Sequence, residues 1–319
     1  MNVLITSAGK RGYLIRYFKA ALKGKGRVFA ADCSQYAPAL YDADEYFLIP
    51  PVSDSEYIKE LEARCVEHSI SGIVSLSDLE LPVLAENKDN FLALGVKVIV
   101  SAPKVIDICF DKYKTYQFLK ESGFTYAKTF INLKQALEEI KKGALVFPVL
   151  VKPRKGSRSV GISKVNTIKE LEEKYKQQKD VVIQEYIDGD EYNLDLFNNS
   201  DLKPVAAFVK KKIQVRDGET YEEYSVYDYE ILQCAKELVK KLGCYGPIDI
   251  DLFKKGNEYI VIDINPRFGG DYALSHALGA AFPEMVVSLI DDNKISPCYT
   301  KYPDNVWMMK QYEIVTRQF

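Results

Sequence analysis

The chain has 319 residues, long for one compact core, so two or three subdomains are expected. Its 47% apolar and 28% charged residues describe an ordinary soluble globular protein. Forty-three basic against 45 acidic residues leave a net charge of −2, which excludes the strong positive field of a dedicated nucleic-acid binder but leaves room for small anions held by a local basic cluster.

The first hundred residues alternate short apolar runs with helical patterns, the signature of repeated strand-helix units around a parallel sheet. "NVLITS", "RVFAAD", "YFLIP", "GIVSLS" and "VKVIVS" are the predicted strands. Helices are predicted over 13–22 and over 54–68, where Tyr57, Ile58, Leu61 and Cys65 recur at helical spacing. A Rossmann-like α/β domain over 1–102 follows. Strand one ends in Ser7-Ala8-Gly9-Lys10-Arg11-Gly12, either a tight turn that needs glycine or a place where Gly9, Lys10 and Arg11 contact a substrate anion. Asp32 closes strand two without a dinucleotide glycine fingerprint, so it reads as a turn or substrate residue. Ser77, Asp78 and Glu80 are either a helix cap or part of a substrate pocket.

"SAPKVIDICFDKYKTYQFLKESG" reads as a helical connector, started by Ser101 and Pro103 and stopped by Gly123, and the boundary is placed near Ala102. Residues 103–319 form an α+β domain of different build. Its predicted strands are "FPVLVKP", "SKV", "DVVIQEYI", "EYNLDLF", "PVAAFVKKK", "PIDIDLF" and "EYIVIDINP", with helices over 168–178 and 229–242. A small subdomain is placed at about 115–187.

Four segments of this half make chemical sense together. Lys152 ends an apolar strand and adjoins a Gly/Ser-rich basic hairpin, Gly156 to Gly161 through Ser157; it either ligates phosphate under a closing loop or belongs to a solvated turn. Gln184 to Glu191 offers an extended backbone suited to an adenine edge, with Glu191 placed to accept from ribose hydroxyls, or else a plain acidic turn. Asp249 and Asp251 alternate on one strand, Asp263 and Asn265 on the next, with Gly256 at the turn between them. The two strands thereby either aim hard oxygen ligands of the kind Mg²⁺ prefers at one spot or carry purely structural acids, which are costly to bury without a cation. Lys210, Lys211 and Lys212 run toward a loop at Arg216, Gly218, Glu219 and Thr220, either as a solvated charge run or as a clamp on a transferring phosphoryl group, with Arg216 favoured.

The order "DKYKT", "VKP" with its Gly-rich loop, "QEYIDGDEY", "DIDLF" and "IDINPRFGG" resembles the ATP-grasp superfamily, and within it the carbamoyl-phosphate synthase large-subunit branch. The resemblance implies a Rossmann-like pre-ATP-grasp domain followed by a two-subdomain ATP-grasp fold. It implies ATP with two Mg²⁺ ions, Mn²⁺ being the other hard cation such a site takes. Lys112, Lys152 and Lys211 would then belong to the nucleotide site, with Gly156, Ser157 and Gly161 in the closing loop. Glu185 and the Ile187 backbone would read adenine, Glu191 the ribose. Arg216 would reach the phosphates, Asp251, Asp263 and Asn265 would hold the metals, and Arg267 would stabilise the acyl phosphate or carboxylate. The chain carries one such unit where the large synthetase carries two, and Asp251 and Asp263 replace the longer glutamine or glutamate more usual there.

The expected activity is therefore ATP-dependent ligation of a small carboxylate to an amine through an acyl phosphate. The alternatives are a bicarbonate-phosphorylating enzyme of the carbamoyl-phosphate type and a regulatory protein that binds Mg-ATP without turnover. With only His68 and His276, a histidine relay is not expected, and His276 is either a packing residue or part of the acceptor pocket. Six cysteines without Cys-x-x-Cys spacing argue against metal ribbons and disulfide frameworks. With no apolar run near the roughly 18 residues a membrane span needs, a cytoplasmic protein without membrane or nucleic-acid partners is expected. The resemblance further implies a homodimer.

Overall fold

A computed structural model describes residues 1–156, 161–216, 218–311 and 313–317. The chain opens with β1 (Asn2–Thr6), α1 (Gly12–Leu22), β2 (Arg27–Asp32), β3 (Glu45–Leu48), α2 (Tyr57–Glu67), β4 (Ile70–Ser75), α3 (Leu81–Glu86), α4 (Lys88–Ala93) and β5 (Lys97–Val98). The five strands form one parallel sheet in the order β3-β2-β1-β4-β5. Because crossover helices cover both faces, alternate residues of β1 enter different cores. Val3 and Ile5 pack with Leu14 and Phe18, whereas Leu4 packs with Tyr57 and Leu61. Connections run to opposite sides of β1, so the loops after β1 and β4 diverge and leave a crevice at their carboxyl ends.

The connector is two helices rather than one, α5 (Pro103–Phe110) and α6 (Lys112–Ser122). Asp111 lies between them in extended backbone, and its carboxylate accepts from the Tyr113 and Lys114 amides at 3.0 and 3.3 Å, a cap that starts the second helix. Gly123, with φ +79°, closes it in the left-handed region. Next come β6 (Thr129–Phe130), α7 (Leu133–Lys141), β7 (Val149–Pro153), β8 (Ser163–Val165), α8 (Ile168–Gln177) and β9 (Val181–Glu185). Their strands form an antiparallel sheet in the order β6-β9-β7-β8, with α7 and α8 packed on its apolar face around Val149, Val151 and Leu171.

The rest of the chain supplies β10 (Asp190–Asn198), β11 (Pro204–Arg216), β12 (Glu219–Val226), α9 (Tyr229–Leu242), β13 (Gly246–Lys255), β14 (Glu258–Asn265), α10 (Tyr272–Ala277), α11 (Phe282–Ile290) and β15 (Trp307–Met309). The sheet order is β14-β13-β10-β11-β12-β15. One face buries α9 through Ile231, Leu238 and Val239. On the other, Phe197, Phe208 and Phe282 join α11 and α1 in a core continuous with the N-terminal sheet. Among the described residues no helix is long and apolar enough to cross a membrane.

Candidate active site

A cavity of about 310 Å³ lies where the three sheets meet. The N-terminal loops contribute Arg11, Ser77 and Asp78; the four-stranded sheet contributes Lys152 and the segment from Gln184 to Ile187; the six-stranded sheet contributes Glu191, Asn193, Lys212, Asp249, Asp251, Asp263, Asn265 and Arg267. Its lining among the described residues holds eight acidic side chains and four basic ones, a surplus of negative charge that calls for added cations.

The acids are aimed by strand pairing. In the β13–β14 ladder Asp249 stands opposite Asn265 and Asp251 opposite Asp263, so all four share one face. Asn265 Nδ2 donates to Asp249 Oδ2 at 3.1 Å, which fixes the amide with its carbonyl oxygen as the remaining acceptor. Asp251 Oδ1 accepts from Lys212 Nζ at 2.6 Å and from Asn193 Nδ2 at 3.0 Å. The Asp263 carboxylate makes no hydrogen bond or ion pair among the described residues, although it lines the cavity.

Arg267 is held from two sides. Nε and Nη2 meet the two oxygens of Asp78 at 3.0 Å each, a fork that crosses from the loop after β4, and Nη1 meets Asp249 Oδ2 at 2.8 Å. Burial works against its charge, yet Asp78 and Asp249 outweigh it and hold the guanidinium firmly protonated. Asp78 is thus a ligand of Arg267, not the helix cap that its place before α3 suggests. Arg11, from the turn after β1, donates to the Phe268 carbonyl at 3.3 Å. Asp32 is a turn residue, accepting from the amides of Gly9 and Ser34 at 3.0 Å each.

On the opposite wall Lys152 is 3% exposed and forms no ion pair among the described residues. Burial pushes its ammonium below the ordinary lysine value; Asp263 and Asp251 offset this in part while Lys112 adds to it. Lys112 opens α6 beside the Gly-rich segment, its Nζ donating to the Gly156 carbonyl at 2.7 Å. Gly156 and Gly161 both have positive φ, +118° and +77°, a conformation that favours glycine. Ser157 lies outside the described residues. Glu185 ends β9 with its backbone N–H on Lys128 O at 2.8 Å and its carboxylate on Lys128 N at 3.1 Å, and Ile187 follows, buried at the cavity wall. Glu191 Oε1 accepts from Lys212 at 2.8 Å.

Two expected members do not join. Lys211 sits between Lys210 and Lys212 on a strand, so its side chain leaves the opposite face and pairs with Asp190 at 2.7 Å. Lys212 takes the inward place instead. The expected loop at Arg216 is a hairpin, in which Arg216 pairs across the ladder with Glu219. Arg216 is exposed, stacks on Tyr221 with its guanidinium 4.1 Å from the ring centre, and donates to Gln214 at 2.9 Å, outside the cavity lining.

Behind the cavity lies a buried charge cluster that strand patterning did not reveal. Lys210 Nζ is 2.7 Å from Asp195, 2.9 Å from Asp271 and 3.7 Å from Glu223. Ser275 donates to Asp195 at 2.6 Å. Burial raises the Asp195 carboxyl to about 6 despite the lysine beside it, and pushes Glu223 well up. Asp271, where burial is outweighed by Lys210 and Lys212, stays well below the carboxylate range. A side-chain carbon at Gly269 would lie 2.9 Å from oxygens of Asp195, Asp249 and Asp271 alike, so only glycine fits against the cluster. His276 stacks on Tyr17, ring centres 3.7 Å apart, as a packing residue outside the cavity lining.

Residues 3–99 match the family described as PylC-like, N-terminal domain, and residues 109–271, half of the chain, match the ATP-grasp domain. The chain belongs to the ATP-grasp family. An ATP-grasp relative, the D-alanine–D-alanine ligase of Clostridium beijerinckii, is 30% identical over 64% of this chain and 74% of its own length. The carbamoyl phosphate synthase large chain of Thermoanaerobacter sp. is 25% identical over 69% of this chain, which spans only 22% of that much longer protein. Among solved structures, the biotin carboxylase domain of the Hydrogenobacter thermophilus 2-oxoglutarate carboxylase, a dimer in complex with MgADP and bicarbonate, shares the fold. Its TM-score is 0.78 at 16% identity, over 96% of this chain and 73% of that one. In this ATP-grasp chain the four-stranded and six-stranded sheets form the two jaws, and the N-terminal sheet closes the end of the cleft with Arg11 and Asp78.

Proposed function

We propose that this ATP-grasp chain is a carboxylate–amine ligase that uses Mg-ATP. The observation that carries the reading is the convergence, in one cleft, of a buried lysine without an ion pair among the described residues, an acid-lined strand pair and a fixed arginine. The donor set suits divalent metal: Asp263 brings a carboxylate without a hydrogen-bond or ion-pair partner among the described residues, Asp251 a second carboxylate, and Asn265 an amide oxygen, all hard oxygen donors. When bound there, such ions neutralise phosphate charge during transfer.

Each residue then has a role in the proposed reaction. Lys152 and Lys112 hold phosphate oxygens, Glu185 to Ile187 lines the base pocket, and Glu191 faces the ribose. Arg267, locked by Asp78 and Asp249, orients the substrate carboxylate. A carboxylate oxygen bonds to the γ-phosphorus as the bond to ADP breaks; the amine nitrogen then bonds to the acyl carbon as phosphate leaves, and the amine gives up a proton. The surroundings of Arg11, Ser77 and Gly270 form the acceptor end, which favours a polar substrate. Cytoplasmic location and a homodimer belong to the same proposal.

The test is ADP release from Mg-ATP across a panel of carboxylates, each with and without an amine pool, with bicarbonate as a separate arm. Turnover that requires one organic acid and one amine supports the ligase. Turnover with bicarbonate alone overturns it in favour of a carbamoyl-phosphate type of activity, and nucleotide binding without any turnover in favour of a regulatory role.

A further inference from the structure

We infer that Lys212 is the resident counter-cation of the metal site, a positioning residue that keeps divalent metal from entering alone and gives up its place when nucleotide arrives. The inference rests on the reading above, in which Asp251 and Asp263 take metal and Glu191 takes the ribose.

The geometry points to one ammonium doing duty for both ligands. β13, β10 and β11 are neighbours in the sheet, so Asp251, Glu191 and Lys212 come from three adjacent strands. Lys212 Nζ lies 2.6 Å from Asp251 Oδ1 and 2.8 Å from Glu191 Oε1, with its side chain only 10% exposed. The same Asp251 oxygen accepts from Asn193, so two of its approaches are filled. A divalent ion at a coordination distance of about 2.1 Å from that oxygen would stand on the order of 3–4 Å from the ammonium, where like charges repel strongly in a partly buried site. Asp263, directly opposite in the ladder, has no such partner among the described residues. The pair is therefore asymmetric: among the described residues the Asp263 carboxylate is open, whereas Asp251 holds an ammonium and an amide on Oδ1.

A polyphosphate changes the balance, because its anionic oxygens offer the flexible lysine stem a new partner as the metal takes Asp251. Metal and nucleotide should then bind with positive coupling that originates at a single side chain.

The experiment uses the full chain and Mn²⁺ as probe, followed by electron paramagnetic resonance with and without ADP. Wild type should bind Mn²⁺ weakly alone and at least about tenfold more tightly with ADP. Lys212→Met should bind Mn²⁺ alone about tenfold more tightly than wild type and lose most of the gain from ADP, while Lys212→Arg should keep the weak metal-only binding. Lys212→Gln serves as a second neutral variant, and a thermal melt identifies which of the two neutral variants is folded. An unchanged or weaker Mn²⁺ affinity in the folded neutral variant overturns the inference, as does independent binding of Mn²⁺ and ADP to wild type. Absence of Mn²⁺ binding to wild type even with ADP overturns the metal reading itself, and the inference with it.

Discussion

Lys152 on β7 and Lys212 on β11 face the same cleft from opposite jaws under contrary electrostatics. Lys152 is buried without an ion pair among the described residues, and desolvation pulls its pKa down. Lys212 suffers the same desolvation, but Asp251 and Glu191 outweigh it and push its pKa well up. Among the described residues one ammonium lacks an anion and the other already has two. A ligand that is polyanionic and arrives with its own cations corrects both conditions at once, and this difference tells more about the cleft than its overall charge does.

The comparison breaks most completely at the acid that neither lysine pairs with. Asp263→Ala should reduce ADP release by about a thousandfold, since it removes a proposed metal ligand at the transferring group; a loss under tenfold in a steady-state assay argues against that role. Next in size, Lys152→Met should weaken ATP or ADP binding by about 10- to 100-fold, as expected for a charge-assisted phosphate contact, measured by calorimetry. The same variant should melt about 2–4 °C above wild type without nucleotide, because the cost of burying an unpaired charge disappears.

A smaller effect separates the two lysines by pH. With its folded pKa lowered, Lys152 costs stability fully below that pKa and progressively less as pH rises toward the unfolded value, so nucleotide-free wild type should gain stability across that alkaline window. Nucleotide affinity should run the other way, falling as pH rises through the lowered pKa and Lys152 loses its charge. Lys152→Arg should flatten both trends in melting and titration series. At the lower end, Arg216→Ala and Lys211→Ala should change nucleotide affinity by less than about twofold, because the exposed Arg216 and the half-buried Lys211 both make their contacts outside the cleft lining.

Alternation made part of this legible: "PIDIDLF" and "EYIVIDINP" place Asp249 and Asp251, and Asp263 and Asn265, at every second position. Their pairing was not, because a regular hairpin with Lys255 opposite Glu258 would set Asp251 opposite Ile262, and it is a register shift between Asp251 and Leu252 that brings Asp249 to Asn265 and Asp251 to Asp263. The lysine triplet was not legible in the same way. β11 is buried on both faces through Lys210, so hydrophobicity carries no phase and nothing local says which lysine points inward. β12 escaped because its buried positions are Thr220, Glu223 and Ser225, polar residues that serve Lys210 and the C-terminal segment. The partners that make Lys210 and Arg267 tolerable, Asp271 and Asp78, lie 61 and 189 residues away, distances over which a sequence pattern is silent.

The fork between Asp78 and Arg267 also bears on how this molecule could be taken apart. The N-terminal sheet is joined to the rest by a shared apolar core, and it also owns one of the carboxylates that fix the orientation of the arginine. An exchange of that sheet for one from another protein would need an acid at the same loop position to keep Arg267 in place. Without it the chimera would inherit both jaws and a loose arginine between them.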